Sequence, residues 1–165
     1  MDLSIAPGSV DDAPSIVLLR NAVAAQLTAA HGRGHWSSCV TTKAVSRELR
    51  ESQVLVAHSR GELVATLRLA TKKPWAIDVS YFTGVAKAFY LHGMAVHPPM
   101  QRRGVGRELV AQAKLLAQLW PAGAIRLDAY DSPAGAATFY SSCAFREVGR
   151  VVYRRTPLVY LELVL

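Results

Sequence analysis

The run Gln101-Arg102-Arg103-Gly104-Val105-Gly106, with Arg107 behind it, carries the residue types that bind an anion. Two glycines let a charged group come close to the backbone. Arg102, Arg103 and Arg107 add three full positive charges. If a helix opens at this point, its first turn adds N–H groups without intrahelical partners and the positive end of the dipole. Two familiar phosphate loops are excluded. No Gly-Lys-Ser/Thr follows, and the third glycine of the dinucleotide fingerprint is missing. The plain alternative is a solvated basic turn.

The elements that must position this run can be read on either side of it. Tyr90-Leu91-His92-Gly93-Met94-Ala95-Val96 has the composition of a strand and stops at His97-Pro98-Pro99. After the run, Val105, Leu109, Val110, Ala113, Leu116, Ala117 and Trp120 recur at steps of three and four, the period of a helix. Pro121 and Gly123 end it. The order is therefore strand, basic glycine loop, helix. Further along, Ala124–Tyr130 alternates as a strand, with Arg126, Asp128 and Tyr130 opposite the apolar set. Asp128 and His92 are titratable groups on strands, and each is also readable as a structural or solvated residue. His31, His35 and Trp36 sit in a glycine-bearing loop. Cys39 and Cys143 are isolated, so no metal site and no disulfide framework is expected.

The 165 residues, 51% hydrophobic and 19% charged, fit one globular domain spanning residues 1–165. No apolar run is long enough to span a bilayer and no secretory leader is visible, so a cytoplasmic protein is expected. The net charge of +7 is scattered rather than blocked, which argues against nucleic acid as a partner. It suits a polyanionic small ligand. In chain order the pattern predicts a strand at 3–6, a helix capped by Asp11 or Asp12 and a short helix at 42–51. A hairpin follows over 53–70. The connection at 71–84 is long enough to act as a flap over a pocket. After the organising strand and helix come the strand at 124–130, a helix at 133–143 and closing strands at 145–153 and 158–163. Strands first, then strands alternating with helices, predicts an α/β fold with a mixed, twisted sheet.

The loop resembles motif A of the GCN5-related N-acetyltransferases (GNAT), Gln/Arg-x-x-Gly-x-Gly/Ala between a strand and a helix, with Gln101, Gly104 and Gly106 in register. Phe139-Tyr140, followed by Phe145, resembles the family's motif B, with Ala144 where glycine is usual and Pro133 where an asparagine is common. Asp131 or Ser132 is the substitute expected for that asparagine. The resemblance implies a GNAT-type twisted sheet flanked by helices on both faces and acetyl-CoA as cosubstrate. It assigns coenzyme A binding to Met94, Ala95, Val96, Gln101, Arg102, Arg103, Gly104, Val105, Gly106 and Arg107. It makes Tyr140 the donor to the leaving thiolate and Asp128, where some members carry a carboxylate, a candidate base; His92, on the organising strand and with an ordinary imidazole pKa of about 6.5, is the other candidate. The acceptor would be a small-molecule or peptide amine, and a homodimer is possible by analogy. A non-catalytic coenzyme A-binding module is the alternative.

Overall fold

In the computed structural model, which describes residues 2–165, seven strands and four α-helices follow one another. The strands are β1 Ser4–Pro7, β2 Gln53–Ser59, β3 Glu62–Ala70, β4 Ala88–Val96, β5 Ala124–Tyr130, β6 Arg146–Tyr153 and β7 Thr156–Val164. The helices are α1 Ala13–His31, α2 Thr42–Glu51, α3 Val105–Leu119 and α4 Ala137–Ser142. The strands form one mixed sheet in the order β1-β2-β3-β4-β5-β7-β6, with β4 and β5 parallel. The chain resolves into two compact units, one holding the chain up to Leu69 with His92–Ala113, the other Ala70–Leu91 with Lys114–Leu165.

In the first unit, Pro14 lies in the first turn of α1, where its missing N–H costs nothing. The Thr41 hydroxyl caps α2 by accepting from the Ala44 amide at 3.2 Å. Ala13, Ile16, Val45, Val54 and Val56 form the core between these helices and β2. β2 and β3 are joined through Arg60 and Gly61, both at positive φ, the two-residue turn whose twist suits a hairpin. The stripe predicted for α3 is buried at Val105, Leu109, Val110 and Ala113 here and at Ala117 in the second unit, where Leu116 is half-buried and Trp120 is 37% exposed.

In the second unit, β7 is sandwiched between β5 and β6 along its length. The connection between β3 and β4 is packed down rather than hanging as a flap. Its Ile77 and Phe82 are buried with Tyr90 and Tyr160. The Tyr160 hydroxyl accepts from the Asp78 amide at 3.1 Å and donates to the Ala76 carbonyl. The Thr83 amide and hydroxyl both donate to the buried Glu162 carboxylate, at 3.0 and 2.6 Å. Ile77 and Phe82 are its buried anchors, while Trp75 is 84% exposed.

The helix predicted from Pro133 starts four residues later. Pro133–Gly135 is taken up by a turn in which the Gly135 amide donates to the Ser132 carbonyl at 2.9 Å, and α4 begins only at Ala137. At its other end Ala144, where the family usually has glycine, keeps the glycine conformation at φ 68°, with the Phe145 amide donating to the Tyr140 carbonyl at 3.1 Å in the manner of a helix C-cap.

Candidate active site

The loop between β4 and α3 belongs to the first unit. β4 is kinked at Gly93, which has φ 57°, and its ladder with β5 holds only Ala88↔Ala124, Phe89↔Ile125 and Tyr90↔Arg126. The His97 amide ties the end of β4 to the Val64 carbonyl at 2.8 Å. His97-Pro98-Pro99 then turns the chain through a short 3-10 segment, with the Met100 amide on the His97 carbonyl at 2.7 Å. Gln101 locks the turn. Its Nε2 donates to the Val96 carbonyl at 3.0 Å and to Gln26 Oε1 at 2.9 Å, and the Gln26 amide returns a bond at 3.2 Å. The Gln101 side chain thus fixes the loop to β4 and α1 rather than reaching outward.

Arg102 and Gly104 both adopt left-handed backbone, φ 60° and 87°. For an arginine that conformation costs about 1 kcal/mol, a strain of the kind found at ligand clamps. Turns built this way gather successive N–H groups on one concave side and make anion sites. The Glu108 amide donates to the Gly104 carbonyl at 3.0 Å, and Val105, Gly106 and Arg107 form the first turn of α3. A side chain added at Gly104 would meet nothing within 4 Å, so the space over the turn is open. Arg102, Arg103 and Arg107 are exposed around it. Arg103 also lines two cavities, one of about 530 Å³ with Ser59, Glu62 and His97, the other of about 450 Å³ with Ile5 and Glu108.

Upstream on the same strand, Met94 and Val96 are half-buried and Ala95 is buried. His92 lies among charges that sequence reasoning did not find. Burial first, then the positive charge of Arg68, pushes its imidazole down to about 4. It is therefore neutral at physiological pH and a weak base. Arg20 is 10% exposed and pairs with Glu48 at 2.7 Å. Arginines and glutamates inside helices α1 and α2 look like surface residues in a sequence. Arg68, flanked by Leu67 and Leu69 in an apolar strand, was the visible signal.

Tyr140 and Asp128 belong to the second unit. Tyr140 is 7% exposed, with Phe139 and Phe145 edge-on to its ring at 5.2 and 5.5 Å. Burial, then Cys143 and Asp128, holds its hydroxyl protonated far above the ordinary phenol range. Burial also raises the Asp128 carboxyl, its own backbone amide partly opposing. The charge of Asp128 acts on Tyr130, Tyr140 and Tyr160, so the carboxylate stands among three phenols. Asp131 and Ser132 are the substitutes considered for the asparagine position. Asp131 pairs with Arg150 at 3.2 Å, and Ser132 is exposed in the turn before α4. Beside these, Arg126 is buried and donates to the Tyr90 hydroxyl at 3.1 Å and the Thr83 carbonyl at 2.7 Å. Among the described residues no group of His, Cys, Asp and Glu is arranged to hold a metal. No helix among them is long and apolar enough to cross a membrane.

Known proteins give this geometry a family. A search of curated proteins found no match. Among solved structures, the chain is similar to a ribosomal-protein-alanine N-acetyltransferase from Brucella melitensis, with TM-score 0.75 and 18% identity over 98% of this chain and 99% of that one. It is similar to yncA, a putative acetyltransferase from Salmonella typhimurium solved with acetyl-CoA, with TM-score 0.75 and 16% identity over 99% and 94%. It is also similar to the paia N-acetyltransferase of Thermoplasma acidophilum in complex with coenzyme A, with TM-score 0.76 and 13% identity over all of both chains. These likenesses establish the fold. The family profile described as an acetyltransferase (GNAT) domain matches residues 50–147, which takes in β4, the basic loop, α3, Asp128 and Tyr140, and the chain belongs to the GNAT family of acetyltransferases.

Proposed function

We propose that this N-acetyltransferase uses acetyl-CoA and a primary amine in a ternary complex, the amine attacking the thioester directly. The left-handed turn at Arg102 and Gly104, open above and opening α3, is the observation that carries the reading. Amides of the turn and first helical residues, Arg102 to Arg107, with the three arginine charges, receive the diphosphate of the cosubstrate. Bound there, acetyl-CoA supplies an activated acyl group: the amine nitrogen bonds the acyl carbon, the C–S bond breaks and coenzyme A leaves as the thiol.

The remaining roles fall to this chain's residues. Backbone groups of Met94, Ala95 and Val96, beyond the last rung that β4 shares with β5, hold the pantetheine arm and polarise the acyl oxygen. An alkylamine is protonated at neutral pH, its pKa being about 10, so a base must take one proton. Asp128 is favoured, because burial lifts its basicity, whereas His92 is held near 4. Tyr140, protonated throughout the physiological range, donates to the departing sulfur. In this reading residues 1–165 act as a single domain. The acceptor is a small-molecule or peptide amine.

Two measurements test it together. Millimolar acetyl-CoA should raise the Tm by several degrees, since ligand at about 100 times Kd adds roughly 2.7 kcal/mol. Tyr140→Phe should keep that shift while losing about 100-fold or more in turnover, followed as thiol release. No shift in the wild-type protein sinks the reading. A shift with no thiol release from any amine leaves a coenzyme A-binding module in its place.

A further inference from the structure

A cavity of about 400 Å³ beside α2 is lined by Lys43, Arg47, Glu48, Arg50, Glu51 and Arg68. Four cations face two carboxylates there, and neither carboxylate is free. Glu48 is paired with Arg20, and Glu51 with Arg47 at 3.5 Å. Among the described residues Arg68 has no such partner. Its Nε is buried without a hydrogen bond, as are Nε and Nη2 of Arg20. Buried guanidinium N–H groups are normally satisfied, and one left open is an expensive arrangement that a bound anion relieves. An arginine cannot escape by losing its proton, although burial, opposed by Glu48 and reinforced by Arg20, lowers the Arg68 value. Gly93 belongs to the same arrangement. A Cβ on it would stand 2.5 Å from Arg20 Nη2, so only glycine admits the guanidinium against β4.

We propose that the acceptor amine carries a carboxylate, and that Arg68, with Arg20 behind it, holds that carboxylate beside β4. The planar fork of a guanidinium matches a carboxylate with two parallel bonds. His92, on which both arginines act, is two residues from Met94, or roughly 7 Å along a strand. A molecule the size of an amino acid spans that distance. This assignment rests on the acetyl-transfer reading above and narrows its substrate class. It also gives the neutral His92 a part: burial does most to keep the imidazole uncharged, and a carboxylate seated on Arg68 offsets the arginine repulsion that adds to it.

The test compares each free amino acid with its amide, which keeps the amine and removes the carboxylate, and adds Xaa-Ala dipeptides to separate free amino acids from peptides. With acetyl-CoA saturating, acids should exceed amides at least tenfold in kcat/KM. Dipeptides should fall with the amides if the carboxylate must be close, and with the acids if a peptide terminus is the natural source. Arg68→Gln should erase the preference and Arg68→Lys should retain part of it. Both variants should keep a single cooperative unfolding transition, because the Arg68 side chain makes no ion pair or hydrogen bond among the described residues. Amides as good as acids, or a preference that survives Arg68→Gln, overturns the proposal while leaving the transferase reading intact. Should acetyl-CoA fail to bind at all, NMR titration of His92 in saturating acetate still decides the anion site. Its pKa should rise with acetate in the wild-type protein and not in Arg68→Gln, and an unmoved titration overturns the site.

Discussion

Asp128 and His92 show how one residue type's chemistry is set by its neighbours. Both are drawn out of water, and burial disfavours the charged form of each, which raises an acid and lowers a base. The carboxylate becomes the better proton acceptor and the imidazole the worse one. If Asp128 is the base, the rate should climb with pH through a value above the ordinary carboxylate range, because only the deprotonated form works. Asp128→Asn should lose about 100-fold or more in kcat and lose that limb of the pH profile as well. A variant that keeps the limb moves the assignment elsewhere. Arg20 and Glu48 give the opposite lesson, since their exchange of charge is invisible until α1 and α2 are packed.

Helix ends and turns carry the next set of consequences. Gly104→Ala puts a Cβ into left-handed backbone at the start of α3, at a cost of roughly 1 kcal/mol, and should weaken coenzyme A binding in calorimetry more than it lowers the Tm. Ala144→Gly does the reverse at the end of α4. Relief of the φ 68° strain exceeds glycine's entropic cost, and chemical denaturation should show a gain of about 0.5–1 kcal/mol. The strand, loop and helix around residues 90–118 were legible because period, proline stops and glycine spacing agree with one another there. The start of α4 was not: Pro133 suits a first helical turn, and nothing local says that Ser132 and Gly135 close a separate turn first. Nor was the burial of the 71–84 connection, which depends on Tyr160 and Glu162 some eighty residues later. Glu162 lies between Leu161 and Leu163, and a charge in that setting was the one hint available.

Across the whole molecule, buried charge makes stability depend on pH. His92 has a folded value of about 4 against roughly 6.5 unfolded, so the unfolded chain binds the extra proton first. Its contribution is complete above about 6.5 and is lost as pH falls toward 4, by up to roughly 3 kcal/mol. His92→Gln should flatten the Tm between those limits. An unchanged slope means that other groups govern the acid transition. Elsewhere, Glu162 combines burial, which raises its carboxyl, with bonds from Thr83 and Arg146, which together bring it below its usual value. Because that carboxylate and the Tyr160 phenol both stand on a strand paired along both edges, the segment they clasp cannot be shed independently. The amides of Asp78 and Thr83 should exchange with deuterium only as slowly as the sheet itself opens, and a protease finding Trp75 would have a handle but very little slack.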